Sequence, residues 1–259
     1  MSISILRIGA IAANGFREVI RDRILYFIGF FALLMASAMR FLPEISVGTH
    51  QKIFLDLGLA AIGLLGAIVA IFVGTGLINK EIEKRTVLVL IPKPLSRAEF
   101  IIGKHLGLTA VLAVMLAIML VIYLVLLMGM KVTFQPIPLI ISIIYLGIEL
   151  SLLTAAALAF GVFTSSILAT LLSFGIYVMG HISKDLIELG ILSKNPNILA
   201  VTKNLYLVLP DLERLNLRND AVYGILPGSD VLIGNAVYGL VYIALLLAIA
   251  ILIFSRRQF

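Results

Sequence analysis

The feature that most constrains this chain is a set of long apolar stretches that contain almost no charge. Residues 106–128 carry no charged side chain, and neither do residues 150–183. A membrane-spanning helix needs roughly 20 mainly apolar residues. Because lipid cannot hydrogen-bond backbone amides, and because these stretches lack the alternation of barrel strands, helix is the structure we expect. Only 13% of the residues are charged, against about 25% in soluble domains.

We therefore predict an all-α, polytopic membrane protein with one transmembrane domain over residues 1–259. A tight turn at residues 161–166, rich in small and hydroxyl side chains, would separate the fourth and fifth spans; without it the count falls to five. A cleaved signal peptide ending near Ala36-Ser37-Ala38 is the rival interpretation of the first span. The six predicted spans are 24–42, 53–78, 106–128, 138–163, 166–182 and 236–254.

The basic residues predict an orientation. Short cytoplasmic loops are enriched in Lys and Arg, and with six spans twelve of these residues fall on one side. The short loops on the other side carry only Arg40, Lys52 and Lys131. We expect both termini in the cytoplasm and the chain in a bacterial-type inner (plasma) membrane. The twelve residues are Arg7, Arg17, Arg21, Arg23, Lys80, Lys84, Arg85, Lys93, Arg97, Lys104, Arg256 and Arg257.

Three segments lie outside the spans. In residues 1–23, Ile5, Ile8, Ala12 and Phe16 recur at helical spacing opposite arginines, which predicts an amphipathic helix on the inner membrane surface. The outer loop, residues 183–235, is too long to lack structure. We expect short helices there that dip into the membrane edge, or a small lid or partner-docking surface.

The inner loop, residues 79–105, is the most informative segment. A short helix is expected to end near Pro92, because proline disfavours helix in the residue before it. A new helix is expected to start at Ser96, which has capping-box spacing to Glu99. A short helix that bears charge and an apolar strip is suited to docking on a cytoplasmic partner. The alternative is an ordinary loop that only fixes the orientation.

Three ionisable residues lie within or near the spans. Charge at the centre of a spanning helix is costly, so such residues usually face protein or a water-filled cavity. Glu149 lies deepest, whereas Asp56 and His181 are expected close to the outer interface. All three are candidates for a transport pathway, and a hydrogen bond between helices is the alternative role of Glu149.

The glycines of the second span bear on helix packing, and the absence of catalytic motifs bears on function. In the second span Gly63, Gly66, Ala70 and Gly74 share one face, which favours close helix packing over a pathway lining. The chain has no cysteine, no zinc-protease motif, no nucleophile elbow and no phosphate-binding loop. We therefore expect no catalytic, metal or cofactor site in it.

The inner loop contains the motif Glu83-Lys84-Arg85-Thr86, Leu88-Val89-Leu90, Pro92-Lys93-Pro94-Leu95-Ser96-Arg97 and Gly103-Lys104. This motif resembles the type-2 permeases of ATP-binding-cassette exporters. Many members have glycine before the threonine, where this chain has Arg85. The resemblance covers essentially the whole chain, and the outer segment Leu209-Pro210-Asp211-Leu212-Glu213 resembles permeases of multicopper-enzyme maturation systems.

The resemblance implies a division of labour between subunits. The inner loop would hold a coupling helix seated on a separate ATPase subunit, which would bind ATP and Mg. The N-terminal helix would be an interfacial elbow, and the outer loop would contain short re-entrant helices. A second permease copy, most simply in a homodimer, would complete the pathway. The implied ATPase-coupling residues are Glu83, Thr86, Pro92, Pro94, Ser96, Arg97, Gly103 and Lys104.

Two other functions fit the residues. A secondary transporter that uses Glu149 would transport without ATP and would be inactivated by Glu149→Gln. A non-transporting envelope scaffold would bind partners without ATP-stimulated flux. The mainly aliphatic spans favour a lipid-linked or amphipathic cargo.

Overall fold

A computed structural model describes residues 4–22, 24–45, 49–83 and 96–256, and every regular element in these ranges is helical. This confirms the predicted all-α class. The helices are α1 (Ile5–Asp22), α2 (Ile24–Ile45), α3 (His50–Glu83), α4 (Arg97–Gly129), α5 (Pro136–Phe163), α6 (Ser166–His181), α7 (Ser183–Leu192), α8 (Pro196–Val208), the 3-10 helix Leu212–Leu215, α9 (Arg218–Tyr223) and α10 (Ser229–Arg256).

Five of the described helices, α2, α3, α4, α5 and α10, are long and apolar enough to cross a membrane. A sixth crossing exists only if α6 and α7 count as one span, bent by 63°. With 16 residues, α6 is about 24 Å long, which is shorter than the roughly 30 Å hydrocarbon core. The chain is thus a multi-pass membrane protein whose predicted fifth span is short and broken.

The turn between α5 and α6 lies within the predicted segment. Helix α5 ends at Phe163, and Thr164 and Ser165 adopt extended backbone angles before α6 begins at Ser166. The Thr164 hydroxyl donates a hydrogen bond to the carbonyl oxygen of Phe160. Two extended residues are enough to send α6 back along α5.

Helix α5 is the central helix of the bundle, packing against α3, α4, α6 and α10. Close packing on α3 confirms the interpretation at two positions of the glycine face, Gly66 and Gly74, whereas Gly63 lines a cavity. A β-carbon added at Gly74 would lie 2.9 Å from Cβ of Ala157, and one at Gly66 would lie 2.4 Å from Cδ1 of Leu150. Small residues let the two backbones approach until their side chains interlock.

The helix bundle has two ends, which we call the terminal face and the loop face. Helix α1, the first turns of α4 and the end of α10 lie together at the terminal face, where Arg7 contacts Glu99 and Arg97 contacts Phe254. The turn after α4 lies with the start of α3 and with α9 at the opposite end, the loop face.

The segment between α6 and α10 contains short helices, as predicted, but α10 begins at Ser229 rather than near residue 236. Helices α7 and α8 pack mainly on each other and expose apolar side chains such as Leu192 and Val208. Residues 209–221, which we call the buried segment, instead enter the bundle. Its buried side chains include Asp211, Leu212, Leu215, Leu217 and Ala221.

Candidate functional site

A polar cavity lies inside the bundle between α3, α5, α6 and the buried segment. Its volume is about 100 Å³, enough for a few water molecules. We call it the polar chamber. Its lining includes Ala60, Gly63, Ser142, Glu149, Tyr177 and His181.

Glu149 and His181 meet in this chamber. The Nε2 atom of His181 lies 3.4 Å from Oε1 of Glu149, and their side chains are 26% and 4% exposed. Nδ1 of His181 lies 2.9 Å from the carbonyl oxygen of Tyr177, so Nδ1 is the donor there and Nε2 faces the carboxyl group.

His181 lies level with Glu149, because α6 runs back along α5 from the turn at Thr164 and Ser165. The position of His181 close to the outer interface stays a prediction. The sequence contains a signal for this proximity. Glu149 lies 16 residues before Ser165 and His181 lies 16 residues after it, so a helical hairpin that turns at Ser165 brings them level.

Asp56 lies on the loop-face side of the chamber, one helical turn from Ala60. Its Oδ1 atom lies 3.0 Å from Nε of Arg218, and both side chains are about half exposed. Arg218, which the sequence did not suggest, also lines the chamber. The three predicted pathway candidates thus lie in or beside one cavity.

The buried segment is held beside the chamber by contacts with α6 and α10. Leu212 packs on Gly180, where a β-carbon would lie 2.6 Å from its Cγ, and Leu215 packs on Gly239. The backbone amide of Asp211 donates a hydrogen bond of 2.8 Å to the hydroxyl of Tyr238 in α10.

A polar cluster of Asp211, Arg214 and Tyr238 stabilises the start of the buried segment. Nε of Arg214 lies 3.1 Å from Oδ2 of Asp211, and the guanidinium stacks over the ring of Tyr238. Hydrogen bonds to the Tyr206 hydroxyl and to Asp211 raise the pKa of Arg214 above its usual value. Arg214 therefore stays charged, and the buried Asp211 keeps its ionic partner.

The end of the inner loop forms a junction at the terminal face. The predicted capping box is present: the Ser96 hydroxyl accepts from the Glu99 amide, and the Glu99 carboxylate accepts from the Ser96 amide at 2.8 Å. The other Glu99 oxygen accepts from the Ser4 amide at 2.7 Å and lies 3.5 Å from Nε of Arg7. One buried carboxylate therefore holds the N-terminal segment and the loop end together.

Arg97 joins the same junction to the last helix. Its guanidinium donates to the carbonyl oxygens of Phe254 and Ser255, at 2.7 and 2.6 Å, and stacks on the Phe254 ring. The last carbonyls of a helix have no partner within it, so Arg97 caps the end of α10.

Gly103 and Lys104 face α1. A β-carbon at Gly103 would lie 2.7 Å from Cβ of Ile11, and one at Gly107 would lie 2.7 Å from the carbonyl oxygen of Ala12. Buried Lys104 lies 3.4 Å from the carboxylate of Glu18. These residues pack the amphipathic helix against the start of α4.

The remaining coupling residues implied by the resemblance lie at the edge of the described residues or outside them. Glu83 is the last residue of α3, and only its backbone is described. Thr86, Pro92, Pro94 and the short helix expected before Pro92 lie outside the described residues.

Comparison with known families agrees with the sequence motif. Residues 9–259 match the family model described as ABC-2 family transporter protein. The comparison with curated proteins gives no match. The family match includes most of α1, the inner loop, all membrane-spanning helices and the buried segment. The chain therefore belongs to the ABC-2 transporter family and is a multi-pass permease component of an ABC transporter, a family of non-catalytic membrane components that implies an ATPase partner.

Proposed function

We propose that this permease is half of an exporter in which a separate ATPase subunit, bound to residues 79–105, drives cargo movement through ATP and Mg. A second copy of the chain completes the membrane part. The termini and residues 79–105 face the cytoplasm. Glu149, His181 and Asp56 belong to the cargo pathway.

The junction of Ser96, Arg97 and Glu99 is the observation that carries this proposal. It fixes the end of the inner loop to α1 through Glu99 and to α10 through Arg97. A partner that pushes on the loop would therefore act on both helices at once. Such contiguous packing and hydrogen bonding is the kind of structure through which coupling travels.

The same contacts refine the role of Arg97. Its guanidinium is already bonded to two carbonyl oxygens of α10, so we assign it to positioning the loop. Glu83, at the end of α3, is assigned to direct contact with the ATPase, and Thr86, Pro92 and Pro94 to the shape of the coupling helix.

Co-purification with the cognate ATPase tests the proposal. The wild-type chain should retain the ATPase on an affinity column, and Glu83→Lys should abolish retention. Arg97→Glu should keep the complex but lose ATP-driven transport, because the loop is no longer tied to α10.

Lys203→Glu is the matched control, since Lys203 is exposed on α8 and α8 is not part of the junction. It should leave both retention and transport unchanged. Failure of the wild-type chain to retain the ATPase, or normal retention and transport by Glu83→Lys and Arg97→Glu, would overturn the proposal.

A further inference from the structure

Glu149 places a buried carboxyl group on the wall of the polar chamber without a hydrogen-bond donor. Its side chain is 4% exposed and lies 3.4 Å from Nε2 of His181. No hydrogen bond between described residues involves this carboxyl group. Because Nδ1 of His181 donates to the carbonyl oxygen of Tyr177, Nε2 of a neutral imidazole is an acceptor as well. Two acceptors therefore meet at the chamber, and a ligand that fits them must donate.

The charges around the chamber favour a cation as that ligand. Arg218 also lines the wall, but its Nε atom lies 3.0 Å from Oδ1 of Asp56, which offsets its charge. In the described part of the chain, neither lysine nor arginine pairs with Glu149. Tyr177 and Ser142 add an aromatic ring and a hydroxyl group to the wall. An ammonium group has three donors and no acceptor, and it binds to both kinds of group.

An apolar surface, which we call the seam, leads away from the chamber between α3 and α6. Leu64 belongs to the chamber wall and is 50% exposed. Phe72 lies about 12 Å further along α3, is 56% exposed and stacks edge-on against Phe174 of α6. The seam consists of Leu64, Ile68 and Phe72 on α3 and of Leu171, Phe174 and Val178 on α6.

The seam ends beside a mainly apolar cavity of about 270 Å³, whose lining includes Phe72, Ile167 and Leu171. The hydroxyl groups of Thr75 and Thr170 form a hydrogen bond of 3.0 Å there, which joins α3 to α6. Lipid tails are as apolar as these side chains, so the seam orients an apolar tail but does not select it. Selectivity must therefore come from the head group in the chamber.

We infer that the polar chamber and the seam bind a cationic amphiphile, with a protonated amine on Glu149 and a single apolar tail along α3 and α6. The amine donates to the carboxyl oxygen and to Nε2 of His181. The tail follows the seam toward Phe72. For the place of this site in a cargo pathway we rely on the proposed function, whereas the binding itself needs only this chain.

Tryptophan fluorescence in phosphatidylcholine nanodiscs tests the binding. The chain has no tryptophan, so Phe72→Trp provides one reporter at the end of the seam. Bromine quenches tryptophan only at close contact, and ω-bromododecylamine carries its bromine at the end of the tail. This amine should quench the reporter saturably. The neutral ω-bromododecanol should need about tenfold more for half-saturation, because a hydroxyl group bonds a carboxylate more weakly than an ammonium group does.

Variants locate the head group and the tail. Glu149→Gln should weaken binding of the amine about tenfold and leave binding of the alcohol unchanged, a difference that general destabilisation would not produce. Glu44→Gln, in the exposed pair with Arg40, should change neither. A tryptophan introduced by Leu245→Trp, exposed on α10, which packs mainly on α4 and α5, should show only the non-saturable quenching of the bilayer.

Three results would each overturn the inference: equal half-saturation for amine and alcohol, unchanged affinity of Glu149→Gln for the amine, or equal quenching at positions 72 and 245. The comparison of amine with alcohol needs no change at Glu149, so it decides even if Glu149→Gln does not fold. Ethylamine, which has no long tail, should not displace the brominated amine at equal concentration. Displacement would mean that the chamber binds free amines and that the seam plays no part.

A separate measurement concerns the proposed function. Dodecylamine should stimulate ATP hydrolysis by the assembled complex of permease and ATPase, and Glu149→Gln should reduce this stimulation. Saturable binding of the brominated amine without any response of ATP hydrolysis would contradict the proposed cargo pathway and leave the binding site intact.

Discussion

At the scale of single residues, glycines allow neighbouring helices to pack closely. Gly74 faces Ala157, and Gly103 and Gly107 face α1. None of these contacts leaves room for a methyl group, because the opposing atoms are backbone or β-carbons rather than the ends of flexible side chains. Gly76, two residues after Gly74 on the same helix, has no atom within 4 Å of an added β-carbon.

Gly74→Ala should therefore destabilise the protein, whereas Gly76→Ala should not. The first forces α3 away from α5 and should cost about 1–3 kcal/mol, as overpacking does. The second only removes backbone freedom from the unfolded chain and should be neutral or stabilise by about 0.4–1 kcal/mol. Thermal unfolding in detergent measures both, and equal shifts for the two variants would contradict the packing.

At the scale of elements, the sequence predicts those helix starts and breaks that depend on contacts between neighbouring residues. The capping box of Ser96 and Glu99, the break at Thr164 and the amphipathic α1 all follow from neighbouring residues. The bend after His181 does not, because residues 166–182 are as apolar as a full span. Next to this bend, Gly180 packs against Leu212, which lies more than thirty residues away in the sequence.

The same distinction applies to the candidate sites. A sequence identifies Glu149 and Asp56 as costly residues near a membrane, but not their partners. Arg218, the first residue of α9, reaches Asp56 only after residues 209–221 fold back into the bundle. Of these contacts, only the proximity of Glu149 and His181 could be predicted from the sequence, because the two residues are equally far from the turn at Ser165.

Glu99→Gln should loosen the junction between α1 and α4. The amide side chain loses the ionic contact with Arg7 and one of the two backbone donors, Ser4 or Ser96, that the carboxylate accepts. Trypsin should cleave after Arg17 faster, and the melting temperature should fall by a few degrees.

Glu44→Gln is the matched control for that change, because it removes a partner from the exposed Arg40–Glu44 pair. It should alter neither tryptic cleavage nor melting. A similar response of the two variants would mean that Glu99 does not hold α1 in place.

At the scale of the whole molecule, the two sites lie at opposite positions along one helix. The terminal face has the loop junction around Arg97, and the polar chamber lies beneath residues 209–221 toward the loop face. Helix α10 touches both. Under the proposed function, an ATPase bound to residues 79–105 would act on the junction around Arg97, and α10 would connect that junction to the polar chamber.

Photo-crosslinking from the inner loop tests that requirement most directly. Because the chain has no cysteine, Thr86→Cys accepts a benzophenone-maleimide at a single site, and exposed Thr133→Cys at the loop face is the matched control. We expect illumination of the assembled complex to join the ATPase to position 86 but not to position 133. No adduct from position 86, or an equal yield from position 133, would contradict a docking site in residues 79–105.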